Sequence, residues 1–432
     1  MTIEHRLATR AARVIELGLE RLRPVLRALD QPQDAMPVVL VTGTNGKGST
    51  SALLASMVRA AGYRVGTFSS PSLGAAHEQI TIDGAAIGRE GLDRILDDID
   101  QADPEPRLSP FEALTAAAYV AFARAEVDLA VVEVGMGGAR DATNVVTTPT
   151  LSVLTNVELD HQQWLGETRA AIAQEKAGVM RARRPAICGW LEPDAQAVIR
   201  AAALFLAVPL TVASDVITDL DGTGPPLAAQ EVTFSTPQRS YRLQLPLAGR
   251  HQRYNLALAT LAAEQLATDG FTRLDANAIA RGAASVHWPA RLESFILGDS
   301  RVVLDGAHNP ASARALANTL ESVSYDLLFG TLADKDAAGM LAHLAPRAER
   351  VVLTRPDTPR TWDPETIRNA DKSLTSATLI SEPSQALDHL LDNAAPGTTI
   401  VATGSIAFVG QLRAHLHTLT QTVEVAGGSR AR

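Results

Sequence analysis

At 432 residues the chain exceeds what one hydrophobic core comfortably serves, so two domains are expected. Its 48 Asp and Glu outweigh its 39 Lys and Arg; the resulting net charge of −9 argues against nucleic-acid binding, which needs a basic face. The one cysteine, Cys188, excludes an intramolecular disulfide and suits a reducing compartment, and its apolar surroundings from Pro185 to Gly189 mark a buried thiol. In chain order, a helix is predicted from Leu7 to about Leu29, with Val14, Leu17, Leu19, Leu22 and Leu26 at helical spacing and Pro24 kinking or splitting it. The stretch Met1 to Arg13 has no apolar run of signal-peptide length, and the longest apolar stretch, Ala201 to Ala213, is broken by Pro209. No membrane association and a cytoplasmic location are therefore expected.

Strand and helix signals then alternate. Val38 to Val41 is a short buried-type strand, Ser49 to Ala61 a helix ended by Gly62, and Arg64 to Phe68 the next strand. Further strands are predicted at Leu129–Val134, Leu151–Val157 and Ala186–Gly189, with Ala-rich helices between them, which is the pattern of a mostly parallel sheet covered on both faces. Val232–Phe234 and Tyr241–Leu245 read as a hairpin at the edge of that sheet, followed by helices over His251–Ala267 and Asp275–Ser285. Pro289 interrupts the helical pattern, and a second α/β unit follows with strands at Arg301–Leu304, Tyr325–Phe329, Arg350–Leu353 and Thr398–Ala402. The expected division is 1–287, a linker at 288–296, and 297–432, with a frayed tail from Gly427.

Between the first strand and the first Ala-rich helix lies Gly43-Thr44-Asn45-Gly46-Lys47-Gly48-Ser49. Glycines let backbone N–H groups converge on phosphate oxygens, a helix start at Ser49 adds its dipole, and Lys47 supplies a point charge. A tight glycine turn would use some of the same residues, but not the lysine between strand and helix. The spacing departs from the usual phosphate loop, since Gly48 separates the lysine from the serine. Glu133 ends a strand, where ligands bind in open α/β sheets, although a capping or paired acid would look the same. Taken singly, a His at position 161 is more often structural, Glu175-Lys176 is by default a solvated pair, and core packing suits Phe111 at least as well as a substrate contact.

The loop resembles that of the Mur-ligase superfamily in its folylpolyglutamate synthase branch, and further segments follow in that family's order from about residue 15 to residue 410. Glu133 to Asn144, Leu159-Asp160-His161, Glu175-Lys176-Ala177-Gly178, Ser70-Pro71, Phe111-Glu112, Gly249-Arg250-His251-Gln252, Trp288-Pro289-Ala290-Arg291, Asp305-Gly306-Ala307-His308-Asn309-Pro310, Asp334-Lys335-Asp336 and Gly404-Ser405 carry it. The resemblance implies a large N-terminal P-loop domain with a mostly parallel sheet and a smaller C-terminal α/β, Rossmann-like domain. It implies ATP bound by Gly43 to Ser49, with Asn255 reading adenine, Asp305 holding the ribose and Arg291 clamping phosphate between the domains. It implies two Mg²⁺, held partly by Ser70, Glu133 and His161, and a carbamate on Lys176. Phe111 and Asp141 would border the pterin, and His308 would face glutamate or the transferring phosphoryl group.

The implied activity is ATP-dependent addition of L-glutamate to dihydropteroate or reduced folates through an acyl phosphate, by a monomer. Ser72 stands where the family has histidine, and Ala139 where it has arginine. A Mur-type amide ligase with another carboxylate acceptor therefore stays open. So does a nucleotide-binding regulator without ligase activity, against which Lys47, Glu133, His161, Asp305 and His308 are all intact.

Overall fold

The computed structural model describes residues 2–10, 17–358 and 361–428. Val38–Thr42 is buried along its whole length. Val38 and Leu40 face one core, beside Tyr119 and Phe122. Val39 and Val41 face another, beside Leu53, Met57 and Leu258. This two-residue alternation inside an unbroken apolar run is what a central strand covered on both faces requires.

The strand lies inside an eight-stranded sheet ordered Ala85–Ala86, Ile80–Ile82, Val65–Phe68, Leu129–Glu133, Val38–Thr42, Leu151–Leu154, Ala186–Cys188, Leu210–Val212. The last six are parallel, and the first two close one edge as an antiparallel ribbon. Leaving Val38–Thr42 through helix Lys47–Ala60, the chain returns two places away at Val65–Phe68; Leu129–Glu133 later fills the gap and Leu151–Leu154 takes the other side. Strand order thus reverses at the central strand, which opens a crevice at its carboxyl end.

Two expectations need correction. The long first helix is two short ones, Ile3–Ala8 and Leu22–Ala28, and Pro24 sits in the first turn of the second, where a missing N–H costs nothing. Val14 and the tail beyond Gly428 lie outside the described residues. The hairpin exists as Gln230–Ser235 and Ser240–Leu245, but it pairs with Thr218–Thr223 in a separate three-stranded sheet. Its apolar side, Val232, Phe234, Leu243 and Leu245, joins the core that holds helices Arg250–Thr268 and Ala276–Ala284 rather than extending the main sheet.

The second unit has a six-stranded sheet ordered Glu293–Leu297, Ser300–Leu304, Thr399–Thr403, Tyr325–Phe329, Ala348–Leu353, Thr378–Leu379, parallel except for the first pair. It has its own core around Val303, Leu316, Leu327 and Met340. Between the two units the backbone turns through left-handed residues at Ala290 (φ 56°) and Leu292 (φ 52°). No helix among the described residues is long and apolar enough to cross a membrane.

Candidate active site

The loop after the central strand is shaped by two glycines. Gly43 has φ 151°, and a Cβ there would stand 1.8 Å from the Thr155 hydroxyl oxygen; Gly46 has φ 81°, and a Cβ there would meet Asn255 Oδ1 at 2.5 Å. The helix begins at Lys47, two residues earlier than the sequence suggests, with Gly46 as its N-cap and the Gly46 carbonyl accepting from Thr50 N–H at 2.9 Å. Lys47 therefore occupies the first helical position, beside the unpaired N–H groups and the positive end of the dipole. Its ammonium donates to the Thr44 carbonyl at 3.1 Å. The loop is held from below: Thr44 N–H donates to the Asn156 carbonyl at 3.0 Å, Asn45 N–H to Asn156 Oδ1 at 2.8 Å, and the Thr155 hydroxyl to the Asn45 carbonyl at 2.6 Å.

Glu133 ends the neighbouring strand opposite Val41. Burial pushes its carboxyl upward, while Lys47, Arg291 and the Ser70 backbone N–H act against that shift. Ser70, Glu133, Lys47 and Arg291 are thus brought together across four separate chain segments. Asp141 is 2 % exposed. Its carboxylate accepts from Met136 N–H at 2.7 Å, Thr143 N–H at 3.0 Å and the Thr143 hydroxyl at 2.6 Å, so it holds the Gly135–Gly138 turn. Phe111 lies against Gly135 and packs tilted on Phe68, with ring centroids 5.9 Å apart. Its helix starts in a capping box between Ser109 and Glu112. Arg140 turns outward to Glu175, at 3.3 Å, and Ser72 donates back to the Gly74 carbonyl at 3.2 Å.

His161 has φ 52° and caps the short helix Gln162–Leu165. Burial lowers its pKa to about 4, with Asp160 opposing and Lys335, Lys47 and Lys176 adding to the shift. It is a neutral imidazole at neutral pH, the form a metal ligand requires. Lys176 is 3 % exposed and donates to the Gly43 carbonyl at 2.7 Å. Burial, reinforced by Lys47, brings its ammonium down to about 7. No three His, Cys, Asp or Glu side chains among the described residues converge on a metal position. Magnesium held on a nucleotide does not need such a cluster, because it takes one or two protein oxygens and completes its shell with phosphate and water. The buried Glu133 carboxylate beside Ser70 fits that smaller requirement.

From the second unit, Asp305 is 6 % exposed and accepts from Leu292 N–H at 3.1 Å and Ala307 N–H at 3.0 Å. Burial raises its pKa, and Arg291 and those two N–H groups oppose the rise. His308 Nδ1 lies 2.9 Å from the Gly306 carbonyl, which can only accept, so Nδ1 carries the proton. Burial and Lys335 lower its pKa to about 4, leaving Nε2 as a free lone pair. Asn255 rests on Gly46 and donates to Gln252 Oε1 at 2.9 Å, and the Trp288 ring edge packs over Gly48.

Sequence reasoning gave no role to Asp160, Asn309 or Lys335, which meet here. Lys335 Nζ donates to Asp160 Oδ1 at 3.0 Å, and Asn309 Nδ2 to Asp160 Oδ2 at 3.0 Å. Asn309 Nδ2 also reaches Asn45 Oδ1 at 3.0 Å. Lys335 is flanked by Asp334 and Asp336, which makes it look like part of a solvated charge run, and Asp160 stands next to a histidine that draws the attention. Only the fold joins them.

A nucleotide-type loop facing a second α/β unit across a short turn is the layout of the Mur ligases, a class of ATP-dependent ligases. The Mur ligase middle domain matches residues 41–263, and the Mur ligase, glutamate ligase domain matches residues 290–406. The folylpolyglutamate synthase of Lacticaseibacillus casei is 36% identical over 91% of this chain and 93% of that protein. The chain belongs to the dihydrofolate synthase/folylpolyglutamate synthase family. A probable bifunctional folylpolyglutamate synthase/dihydropteroate synthase of Haloferax volcanii is also 36% identical over 92% of this chain, which spans about half (48%) of that protein's length. Among solved structures, Mycobacterium tuberculosis folylpolyglutamate synthase complexed with ADP superposes with a TM-score of 0.88 at 32% identity, covering 96% of this chain and 97% of that one. E. coli FolC in complex with DHPP and ADP gives 0.82 at 30% identity, covering 99% and 97%.

Proposed function

We propose that the chain joins L-glutamate to dihydropteroate, and to reduced folates, by way of an acyl phosphate made from ATP. The observation that carries this reading is the meeting of Lys47, at the head of its helix, with His308 and Lys335 of the second unit in one crevice, where Lys335 pairs with Asp160 at 3.0 Å and His308 Nε2 lies 3.8 Å from the same carboxylate. The names of the relatives, and the DHPP and ADP bound to the E. coli protein, supply the substrate class.

In this reading the loop N–H groups, the helix start and Lys47 hold the triphosphate and neutralise charge on its terminal group. Asn255 and Asp305 border the adenosine, Arg291 bridges towards the phosphates, and Phe111 and Asp141 line the way to the pterin. The acceptor carboxylate attacks the terminal phosphorus and ADP leaves; the glutamate amine then attacks the acyl carbon and phosphate leaves. His308 Nε2, unprotonated at neutral pH, accepts a hydrogen bond on the amine side. Ser70, Glu133 and His161 would hold Mg²⁺, which when bound supplies positive charge against the phosphate oxygens. An amine brought down to about 7 is partly unprotonated at neutral pH, and that form adds CO₂, so Lys176 is our choice for a carbamate. The two units would close about the turn at residues 288–292, the later part of the expected linker, Glu293–Leu297, being the edge strand of the second sheet. The family resemblance supports a cytoplasmic monomer as the working form.

Phosphate release with ATP, Mg²⁺ and glutamate, measured with and without dihydropteroate, tests the proposal. Release requiring both glutamate and dihydropteroate, with a product one glutamyl unit heavier, is the expected result. Release with tetrahydrofolate alone would narrow the chain to tail extension, and no release with either would overturn the folate assignment.

A further inference from the structure

The segment 155–161 has two sides. Towards the phosphate loop it is tied by the bonds of Thr155 and Asn156 described above, and by a reciprocal pair in which the Thr44 hydroxyl donates to the Glu158 carbonyl at 3.1 Å and accepts from Glu158 N–H at 3.0 Å. Towards the second unit it presents acids. Glu158 lies 3.9 Å from Arg314, and Asp160 takes Lys335 and Asn309 at 3.0 Å each. Asp160 Oδ1 also accepts from His161 N–H at 2.8 Å. The side chains of Asp160 and Lys335 are each 10% exposed. Asn309 completes the triangle by donating to Asn45 of the phosphate loop itself.

A desolvated ion pair adds little net stability, because most of its attraction is consumed in stripping water from both charges; what it fixes is geometry. Opening the crevice would rehydrate Asp160 and Lys335 separately at small net cost, and closing it would leave one permitted register.

We propose that Asp160, Lys335 and Asn309 form the lock of the closed state, and that this lock keeps water from the acyl phosphate while the amine attacks. Asp160 and Asn309 are positioning residues, and the inference rests on the ligase reading above. When the lock fails, a water oxygen bonds to the acyl carbon, the bond from that carbon to the phosphate oxygen breaks, and phosphate leaves. The acceptor carboxylate is regenerated, so the net reaction is ATP and water to ADP and phosphate.

The test counts phosphate and glutamyl product together in the full-length protein, with ATP, Mg²⁺, acceptor and glutamate. Wild type should release about one phosphate per product formed, whereas Asp160→Asn and Lys335→Met should each raise that ratio about threefold or more and raise KM for glutamate about tenfold. ADP affinity should stay within about twofold of wild type, and the double variant should be no worse than the worse single one, because both remove the same contact. A ratio of one with unchanged KM in both variants overturns the lock. So does a loss of ADP affinity in step with melting temperature, which would mark a purely structural pair. If Asp160→Asn does not fold, Lys335→Met carries the same measurement from the other domain. Wild type that makes no glutamyl product overturns the ligase reading and the lock with it; variants that remain coupled overturn the lock alone.

Discussion

The phosphate loop and the linker both turn the chain through left-handed conformations, but with opposite choices of residue. The loop uses glycine at Gly43 and Gly46, where a Cβ would collide with Thr155 or Asn255. At the linker, Ala290 and Leu292 keep their side chains at φ 56° and 52°, and both are buried. Left-handed residues with a Cβ cost about 1–2 kcal/mol each. They persist here because neighbours fix them. Leu292 N–H is held by Asp305, Ala290 N–H by Glu293 at 2.9 Å, and the Ala290 carbonyl by Gly306 N–H at 2.9 Å. Glu293 is itself paired with Arg413 at 2.9 Å. The loop is shaped by absence of side chains, so that backbone can approach phosphate. The linker is shaped by surplus hydrogen bonds, so that a strained turn stays defined between the two units.

The largest effect should come from violating the loop. Gly43→Ala places a methyl inside the Thr155 hydroxyl contact, and about 3 kcal/mol of stability should be lost, with ADP binding weakened about 100-fold or more. Calorimetric titration and thermal melting read both. Lys47→Ala is the control for that reading. Its ammonium makes one hydrogen bond within the loop, so melting should stay within about 0.5 kcal/mol of wild type while ligation is abolished. Near-normal ligation by Lys47→Ala would remove the loop from the mechanism.

On the linker side, Asp305→Ala leaves Leu292 N–H and Ala307 N–H without their acceptor and removes one of the two carboxylates, with Glu133, that Arg291 acts on. About 2–3 kcal/mol should be lost by urea denaturation. A loss below about 0.5 kcal/mol would mean that water replaces the carboxylate freely and that the turn is not held as described.

Acid should weaken both regions together. His161, His251 and His308 are each lowered to about 4, mainly by burial, with Lys335, Lys47 and Lys176 adding at the first, Arg291 at the second and Lys335 at the third. In the unfolded chain they titrate near 6.5, so between those values the unfolded state binds protons that the folded state refuses. Their contribution is complete above about pH 6.5 and is lost as pH falls towards about 4, with a slope approaching 4.1 kcal/mol per pH unit if all three act fully. Urea midpoints between about pH 7 and pH 5 measure the slope, and His251→Gln should remove about a third of it. An unchanged slope in that variant would place the acid sensitivity elsewhere.

How much of this could be read from the residues alone differs between the same two regions. The phosphate loop is local: strand, glycines, lysine and helix lie within 15 residues, so Lys47 and its neighbours are legible from spacing. Glu133 and His161 are legible only as strand-end polar residues, and the resemblance gave them roles. The hairpin was visible in its alternation, but its place was not, because pairing partners across a fold leave no mark on a short strand's own pattern. Neither Asp160 with Lys335, 175 residues apart, nor the left-handed Ala290 could be read. The first depends on two domains meeting, and the second contradicts the preference of its own residue type.

Ala290→Gly tests that contradiction most finely. Glycine relieves about 1 kcal/mol of left-handed strain but adds about 0.4–1 kcal/mol of unfolded-state entropy. It also removes a methyl that is fully buried against Leu304, Phe408 and their neighbours, worth about 0.8 kcal/mol. The three terms nearly cancel, so the urea midpoint should move by less than about 1 kcal/mol in either direction. A clear gain in stability would show that the strain exceeds the packing, and that the turn stores energy released when the domains part. A clear loss would show that the methyl seats the second domain on the turn, and that the hydrogen bonds around it only follow.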